Sequence, residues 1–119
     1  MSSVVPYLIR AYCDWIEDSN LTPHVLVDCE KTGVVVPESF AKEGKIVLNI
    51  SSSATEGRLI TNNSISFKAR FSGRSQKITF PCESVLTIYA QENGEGMIFE
   101  NKLETKGDKN EKPTLTILD

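Results

Sequence analysis

No CxxC pair occurs in this sequence: its three cysteines, Cys13, Cys29 and Cys82, are odd in number and far apart, and its only histidine is His24. Neither a disulfide framework nor a zinc site is expected from that set, because His24 has no cysteine or second histidine at ligand spacing. In a reducing compartment the cysteines are most simply small buried hydrophobes. A Ser-His-Asp or Cys-His arrangement would have to recruit His24, which stands beside Pro23 at the start of an apolar strand, so a structural role fits it better. The carboxylates Asp14, Glu17, Asp28, Glu38 and Glu43 have the spacing of solvated faces and are not paired for acid/base work. Gly94 and Gly96 are not followed by a helix with a Lys-Ser/Thr pair, so they make no phosphate loop. No apolar run is long enough to span a bilayer, and Met1 to Pro6 has no basic region ahead of an apolar one, so a cytoplasmic protein is expected. A net charge of −3 argues against a broad phosphate-binding face and makes nucleic acid a minority partner. The chain reads as a binding module, with no enzyme activity, cofactor or metal expected.

What is present suits one globular domain. With 119 residues, 39% hydrophobic and 24% charged, the chain can bury about two thirds of the surface it exposes unfolded. Pro6 suits the first turn of a helix, and Leu8, Ala11, Tyr12, Trp15 and Ile16 recur at helical spacing to make an apolar stripe. Ser19-Asn20 and Thr22-Pro23 end it. That stripe packs on the chain's own core by default. Tyr7 and Tyr12, on its two flanks, widen it enough for a second subunit to meet part of it.

After Pro23 the period becomes that of strands. These are His24–Cys29, Gly33–Val36, Lys45–Ile50, Arg58–Ile60, Ser64–Phe71, Gln76–Phe80, Val85–Ala90 and Met97–Phe99. Turns fall at Glu43-Gly44, Asn62-Asn63, Ser72-Gly73 and Asn93-Gly94, and left-handed angles are expected at the asparagine pair. One leading helix followed by short strands predicts a mainly β fold, a small antiparallel sandwich or open barrel.

The end of the chain differs again. Residues 101–112 form a polar, charged stretch too poor in apolar surface to offset its ordering entropy, a candidate linker between the domain of residues 1–100 and the last seven residues. In Pro113–Asp119, Pro113 favours an extended backbone, and Leu115, Ile117 and Leu118 offer apolar anchors for another protein's groove. The alternation of Leu115 and Ile117 with Thr114 and Thr116 fits a final strand of the chain's own sheet equally well.

Several of these segments together resemble one family. Pro6-Tyr7-Leu8-Ile9-Arg10-Ala11-Tyr12, Trp15 and Leu21-Thr22-Pro23-His24 are similar to the opening of the SspB family, the stringent starvation protein B adaptors of the ClpXP protease. Val36-Pro37, Gly44 to Ile50, Phe67-Lys68-Ala69-Arg70-Phe71 and Ile88 to Gly94 follow in the family's order. The resemblance covers roughly residues 6 to 100. It implies an Sm-like β fold, a homodimer formed through the N-terminal helix, and a domain that binds the ssrA tag added by tmRNA to stalled translation products. It also implies a C-terminal peptide that docks on the N-terminal domain of the ClpX unfoldase.

Carried onto this chain, the resemblance places the tag at Ala54 in the loop after the Lys45–Ile50 strand and at Ile65, Ser66, Phe67, Lys68, Ala69 and Arg70. Small Ala54 and Ala69 would admit a close backbone approach, Phe67 an apolar wall, and Arg70 a charge for the tag's acidic and amide groups. Docking on ClpX falls to Pro113, Leu115, Ile117 and Leu118, and the dimer interface to Tyr7, Leu8, Ala11, Tyr12 and Trp15. The tail departs from the family's ending, which is similar to Arg-Pro-Ala-Leu-Arg-Val-Val-Lys. Thr116 and Asp119 stand where basic residues are usual, and the tether is short, reaching at most ~40 Å.

Two rival functions have their own signatures. An Sm-like RNA-binding protein would need a basic or aromatic single-strand platform, which the acidic balance opposes. A hydrolase on the same fold would need a nucleophile activated by His24.

Overall fold

The computed structural model describes residues 3–99; the expected linker at 101–112 and docking peptide at 113–119 lie outside the described residues. The chain opens with helix α1, Val5–Asp18, with Pro6 in its first turn, where a missing N–H leaves no bond unmade. Its end is set by Asn20, in the left-handed region at φ 64°. There the Asn20 N–H donates to the Glu17 carbonyl and the Leu21 N–H to the Ile16 carbonyl, both at 3.0 Å. This pair of bonds satisfies the last carbonyls, and Leu21 folds back onto the core. The helix therefore stops at Asp18, five residues before Pro23.

The helix turns a different arc to the core from the one expected. Val5, Pro6, Ile9, Cys13 and Ile16 are buried, whereas of the expected stripe only Ile16 is; Leu8 and Tyr12 are half-buried, and Ala11 and Trp15 are exposed. Two adjoining apolar arcs share α1, and Val5, Ile9, Cys13 and Ile16 keep helical spacing as well as the stripe does. The aliphatic side chains and the thiol occupy the interior, and the bulkier aromatics stay outside.

Seven strands follow among the described residues: β1 Pro23–Asp28, β2 Lys45–Asn49, β3 Glu56–Ile60, β4 Ser64–Phe71, β5 Arg74–Pro81, β6 Val85–Ala90 and β7 Gly96–Ile98. They form two antiparallel sheets, β2-β1-β6-β7 and β3-β4-β5. The fold is mainly β with one N-terminal helix, as expected. The stretch Gly33–Val36 is a correction: it makes only an isolated bridge, Val35 to Thr79 on the edge of β5, because Gly33 at φ 94° and Pro37 bracket it too closely for a ladder. Short 3-10 turns stand at Glu38–Phe40 and Cys82–Ser84.

The hairpins use different turn chemistry. Ser72 at φ 55° and Gly73 at φ 80° join β4 to β5 with both central residues left-handed, the geometry that matches strand twist. The Asn62-Asn63 hairpin is present, but neither asparagine is left-handed. Instead the Thr61 hydroxyl accepts the N–H groups of Asn63 and Ser64, at 3.1 and 3.0 Å. Between β6 and β7, Gly94 at φ 76° closes the loop by donating its N–H to the Ala90 carbonyl at 2.7 Å.

The core lies between the sheets and under α1. Alternate residues fill it: Val25 and Val27 from β1, Ile46 and Leu48 from β2, Ile65 and Phe67 from β4, Ile78 and Phe80 from β5, and Ile88 and Ala90 from β6. Phe67 and Phe80 meet edge to face at 6.3 Å. Each such large side chain contributes roughly 1.5–3 kcal/mol on leaving water. Cys13 and Cys82 are buried and Cys29 is half-buried. Among the described residues no helix is long and apolar enough to cross a membrane.

Candidate functional site

The edge of one sheet faces the middle strand of the other, and a cleft opens between them. β2 is the edge strand of the four-stranded sheet, and β4 is central in its own. Strand alternation sends Ile65, Phe67, Ala69 and Phe71 to one side of β4 and Ser66, Lys68 and Arg70 to the other. A recess of about 330 Å³ lies where Val47, Leu48 and Asn49 of β2 approach Phe67, Ala69, Arg70 and Phe71, with His24 of β1 and Ala54 of the following loop completing it. A second recess, of about 570 Å³, is bounded by Ser53 to Glu56, Lys68 to Arg70 and Ser75. Ala54, Ala69 and Arg70 line both, so the two recesses adjoin.

Of the residues expected here, Ala54, Phe67, Lys68, Ala69 and Arg70 come together. Ile65 is fully buried in the core, and Ser66 is paired between Leu59 and Thr79; neither lines a recess. His24, Val47, Asn49 and Phe71 line the cleft without having been expected to. Val47 carried a usable signal, since it is an apolar residue on the outward side of an alternating strand and is 50% exposed. Phe40, also exposed, tilts its ring against that of Phe71, with centroids 5.1 Å apart.

The loop carrying Ala54 is pinned at several points. The buried Ser51 donates its N–H to Asn49 Oδ1 at 2.9 Å and accepts from Ala54 N–H and Thr55 Oγ1 at its carbonyl. Ser52 N–H donates to Glu17 Oε2 of the helix. The other Glu17 oxygen lies 3.6 Å from Arg58 Nη1, which also donates to the Ile50 carbonyl at 2.7 Å. The helix end, the loop and β3 are thus one hydrogen-bonded unit.

The rim of the cleft is basic although the chain is acidic. Lys68 and Arg70 are exposed, Lys77 stands directly across from Lys68 on β5, and Arg74 is nearby. Neither Lys68 nor Arg70 forms an ion pair among the described residues. An apolar trough with small residues where its two recesses meet and exposed cations on its lip suits an extended peptide with acidic groups. Among the described residues no cluster of His, Cys, Asp or Glu could hold a metal ion.

Titration is shifted at Cys13, Cys29 and Glu92; burial raises the Cys29 thiol above its ordinary range. Burial pushes the Cys13 thiol up to about 11, against the pull of nearby Arg58. Thr22 donates its hydroxyl and its N–H to Glu92, at 2.6 and 2.8 Å, and these bonds hold that exposed carboxyl below the usual carboxylate range.

The second feature is the outer face of α1. Tyr7 and Trp15 are each 50% exposed, Tyr12 and Trp15 meet edge to face at 5.6 Å, and Ala11, Tyr12 and Trp15 line a shallow recess of about 340 Å³. Tyr7 is held by the Arg10 guanidinium over its ring at 4.8 Å and by an Asn62 amide on its hydroxyl at 3.2 Å. All five residues expected at a subunit interface are therefore exposed or half-buried. Pro113, Leu115, Ile117 and Leu118 lie outside the described residues.

Fold and cleft together define a small helix-led antiparallel β domain with an apolar trough between its two sheets. The profile of one family, Stringent starvation protein B, matches residues 3–116. The chain belongs to this SspB family. It is also 50% identical over 95 residues to the Stringent starvation protein B homolog of Haemophilus influenzae, a match covering 80% of this chain and 63% of that protein.

Proposed function

We propose that this chain is a non-catalytic proteolytic adaptor: it binds the tmRNA-encoded ssrA tag on stalled translation products and tethers them to the ClpX unfoldase of ClpXP in the cytoplasm. The observation that carries this reading is the cleft between β2 and β4. Its alanines at 54 and 69 leave room for a peptide backbone, its walls at Val47, Phe67 and Phe71 take apolar side chains, and Lys68 and Arg70 meet acidic ones. Family membership supports the same reading.

The remaining parts of the proposal follow from it. The exposed aromatic face of α1, with Tyr7, Leu8, Ala11, Tyr12 and Trp15, pairs two copies of the chain. The segment Pro113–Asp119 docks on the N-terminal domain of ClpX through Pro113, Leu115, Ile117 and Leu118. Delivery is then a matter of effective concentration, with the tag held in the cleft and the unfoldase at the end of the chain.

The test is fluorescence anisotropy of a labelled tmRNA tag peptide titrated with the full chain and with Arg70→Ala. Saturable binding that Arg70→Ala weakens supports the reading; no binding at high protein concentration overturns it. Removing Pro113 to Asp119 is expected to abolish delivery to ClpXP while leaving tag affinity unchanged, and equal delivery by the truncated chain would overturn the docking part.

A further inference from the structure

His24 enters the cleft from β1, next to the edge strand β2, and its position is fixed on both sides. Its backbone pairs with Asn49 on β2 and Tyr89 on β6, and its ring tilts against that of Tyr89 with centroids 5.9 Å apart. Of its two ring nitrogens only Nδ1 is enclosed, and that atom has no hydrogen-bond partner among the described residues. A neutral imidazole carries hydrogen on one nitrogen and a lone pair on the other. An enclosed N–H with no acceptor is a costly arrangement, so the hydrogen belongs on Nε2 and the lone pair on Nδ1.

That tautomer gives the open side of the ring a direction. It leaves an N–H donor on the side of the apolar walls Val47, Phe67 and Phe71, and the nearest carboxamide oxygen of the recess, Asn49 Oδ1, is already taken up by the Ser51 N–H. The charged and titratable groups around it are Arg70 across the cleft on β4, Tyr89 beside it, and the Glu92 carboxylate, close enough to feel a charge on the ring.

We propose that His24 is a specificity-determining residue of the cleft. Its Nε2–H donates to a side-chain oxygen, of a carboxamide or a carboxylate, on the extended peptide bound there. The inference rests on the peptide-binding function proposed above. Apolar walls accept many peptides of the right width; a donor held in one place beside them selects for an acceptor at a single register, because a peptide lacking it leaves the donor without a partner.

The experiment compares binding of the labelled tmRNA tag peptide to the wild-type chain, His24→Phe and His24→Gln. His24→Phe is expected to weaken binding ~5- to 10-fold, the loss of one hydrogen bond. His24→Gln, whose amide nitrogen reaches the place of Nε2, should restore most of it. A second measurement needs no variant: ¹⁵N NMR of the wild-type imidazole reads the tautomer, and peptide should shift the Nε2–H proton downfield and slow its exchange. Tag peptides with carboxamide or carboxylate side chains replaced by alanine identify the acceptor as the group whose removal makes wild type and His24→Phe bind alike. Equal affinity of wild type and His24→Phe for the full tag, or hydrogen on Nδ1, overturns the role of His24 and leaves peptide binding standing. Failure of the wild-type chain to bind the tag overturns both.

Discussion

Glu17 on the helix and Arg58 on β3 meet at 3.6 Å beneath the loop that carries Ala54. As an ion pair between partly exposed side chains the contact is weak, roughly 0–1 kcal/mol. Its structural consequence is larger, because the second Glu17 oxygen holds the N–H of Ser52. Glu17→Ala should therefore loosen residues 51–55 and weaken tag binding ~5-fold, the worth of about one hydrogen bond. Glu17→Gln keeps an acceptor for Ser52 and should bind nearly as wild type. Amide hydrogen exchange across the loop, alongside the anisotropy titration, checks both; unchanged protection in Glu17→Ala would refute the coupling.

Ala69 is half-buried and lines both recesses, so it lies where the two meet. A leucine there fills the space that a peptide backbone needs, while its side chain still has open volume to enter. Ala69→Leu is expected to cost at least ~100-fold in tag affinity, about 2.7 kcal/mol, while moving the thermal midpoint by no more than a few degrees. Calorimetry and anisotropy on the same preparation separate the two effects. Retained affinity would mean that the peptide does not pass this point.

The dimer proposal has a direct test at Ala11, which is exposed in the middle of the aromatic face of α1. Ala11→Glu places a charge against the partner helix, yet it is a good helix former at a solvated position of the single chain. Sedimentation velocity should show wild-type dimers and Ala11→Glu monomers of unchanged secondary structure. Tag affinity per chain should stay the same, since the cleft lies on β2 and β4.

Much of this architecture was legible in the sequence, and the exceptions have physical causes. The strands and hairpins were readable because alternation and turn residues act locally. Gly33–Val36 was misassigned because its β-branched run satisfies propensity, but flanking Gly33 and Pro37 leave room for one bridge only. The core-facing arc of α1 was ambiguous, since Val5-Ile9-Cys13-Ile16 and Leu8-Ala11-Tyr12-Trp15 both fit a helix; only the shape of the space beneath it decides. Ala54, Ala69 and Arg70 came from resemblance to a family. His24 and Val47 did not, because a cleft between two sheets joins residues from strands far apart in the chain, a relation no local period records.

Cys13 makes stability sensitive to alkaline pH. Its folded thiol is pushed up to about 11 by burial, above the ordinary value of 9.0. The contribution is fully present below pH 9 and is lost as pH rises from 9 towards 11, because the unfolded thiol ionises first and draws the equilibrium towards the unfolded chain. Urea midpoints should fall more between pH 8 and pH 10 for wild type than for Cys13→Ala, which lacks the thiol. Identical pH dependence in the two would show that the Cys13 thiol is not coupled to folding.

Gly96 is the position in the β6–β7 hairpin that no other residue can occupy without movement of the backbone. It pairs with Tyr89, and a Cβ built there would lie 2.5 Å from Tyr89 Cα and closer still to the Ile88 carbonyl oxygen. Both obstacles are main chain of β6, so a side-chain rotation cannot relieve them. β7 is a three-residue edge strand whose other contacts are few, so the strain is relieved by separating it from β6. Gly96→Ala is expected to destabilise the fold by about 2–3 kcal/mol, at the upper end of ordinary single substitutions. Gly94→Ala in the same loop meets no neighbouring atom and is strained only through its positive φ, so it should cost less, about 1 kcal/mol. Chemical denaturation of the two variants sets them in order. The reverse order would mean that β7 already stands off from β6 in solution, and that Phe99, buried just beyond it, anchors the end of the sheet alone.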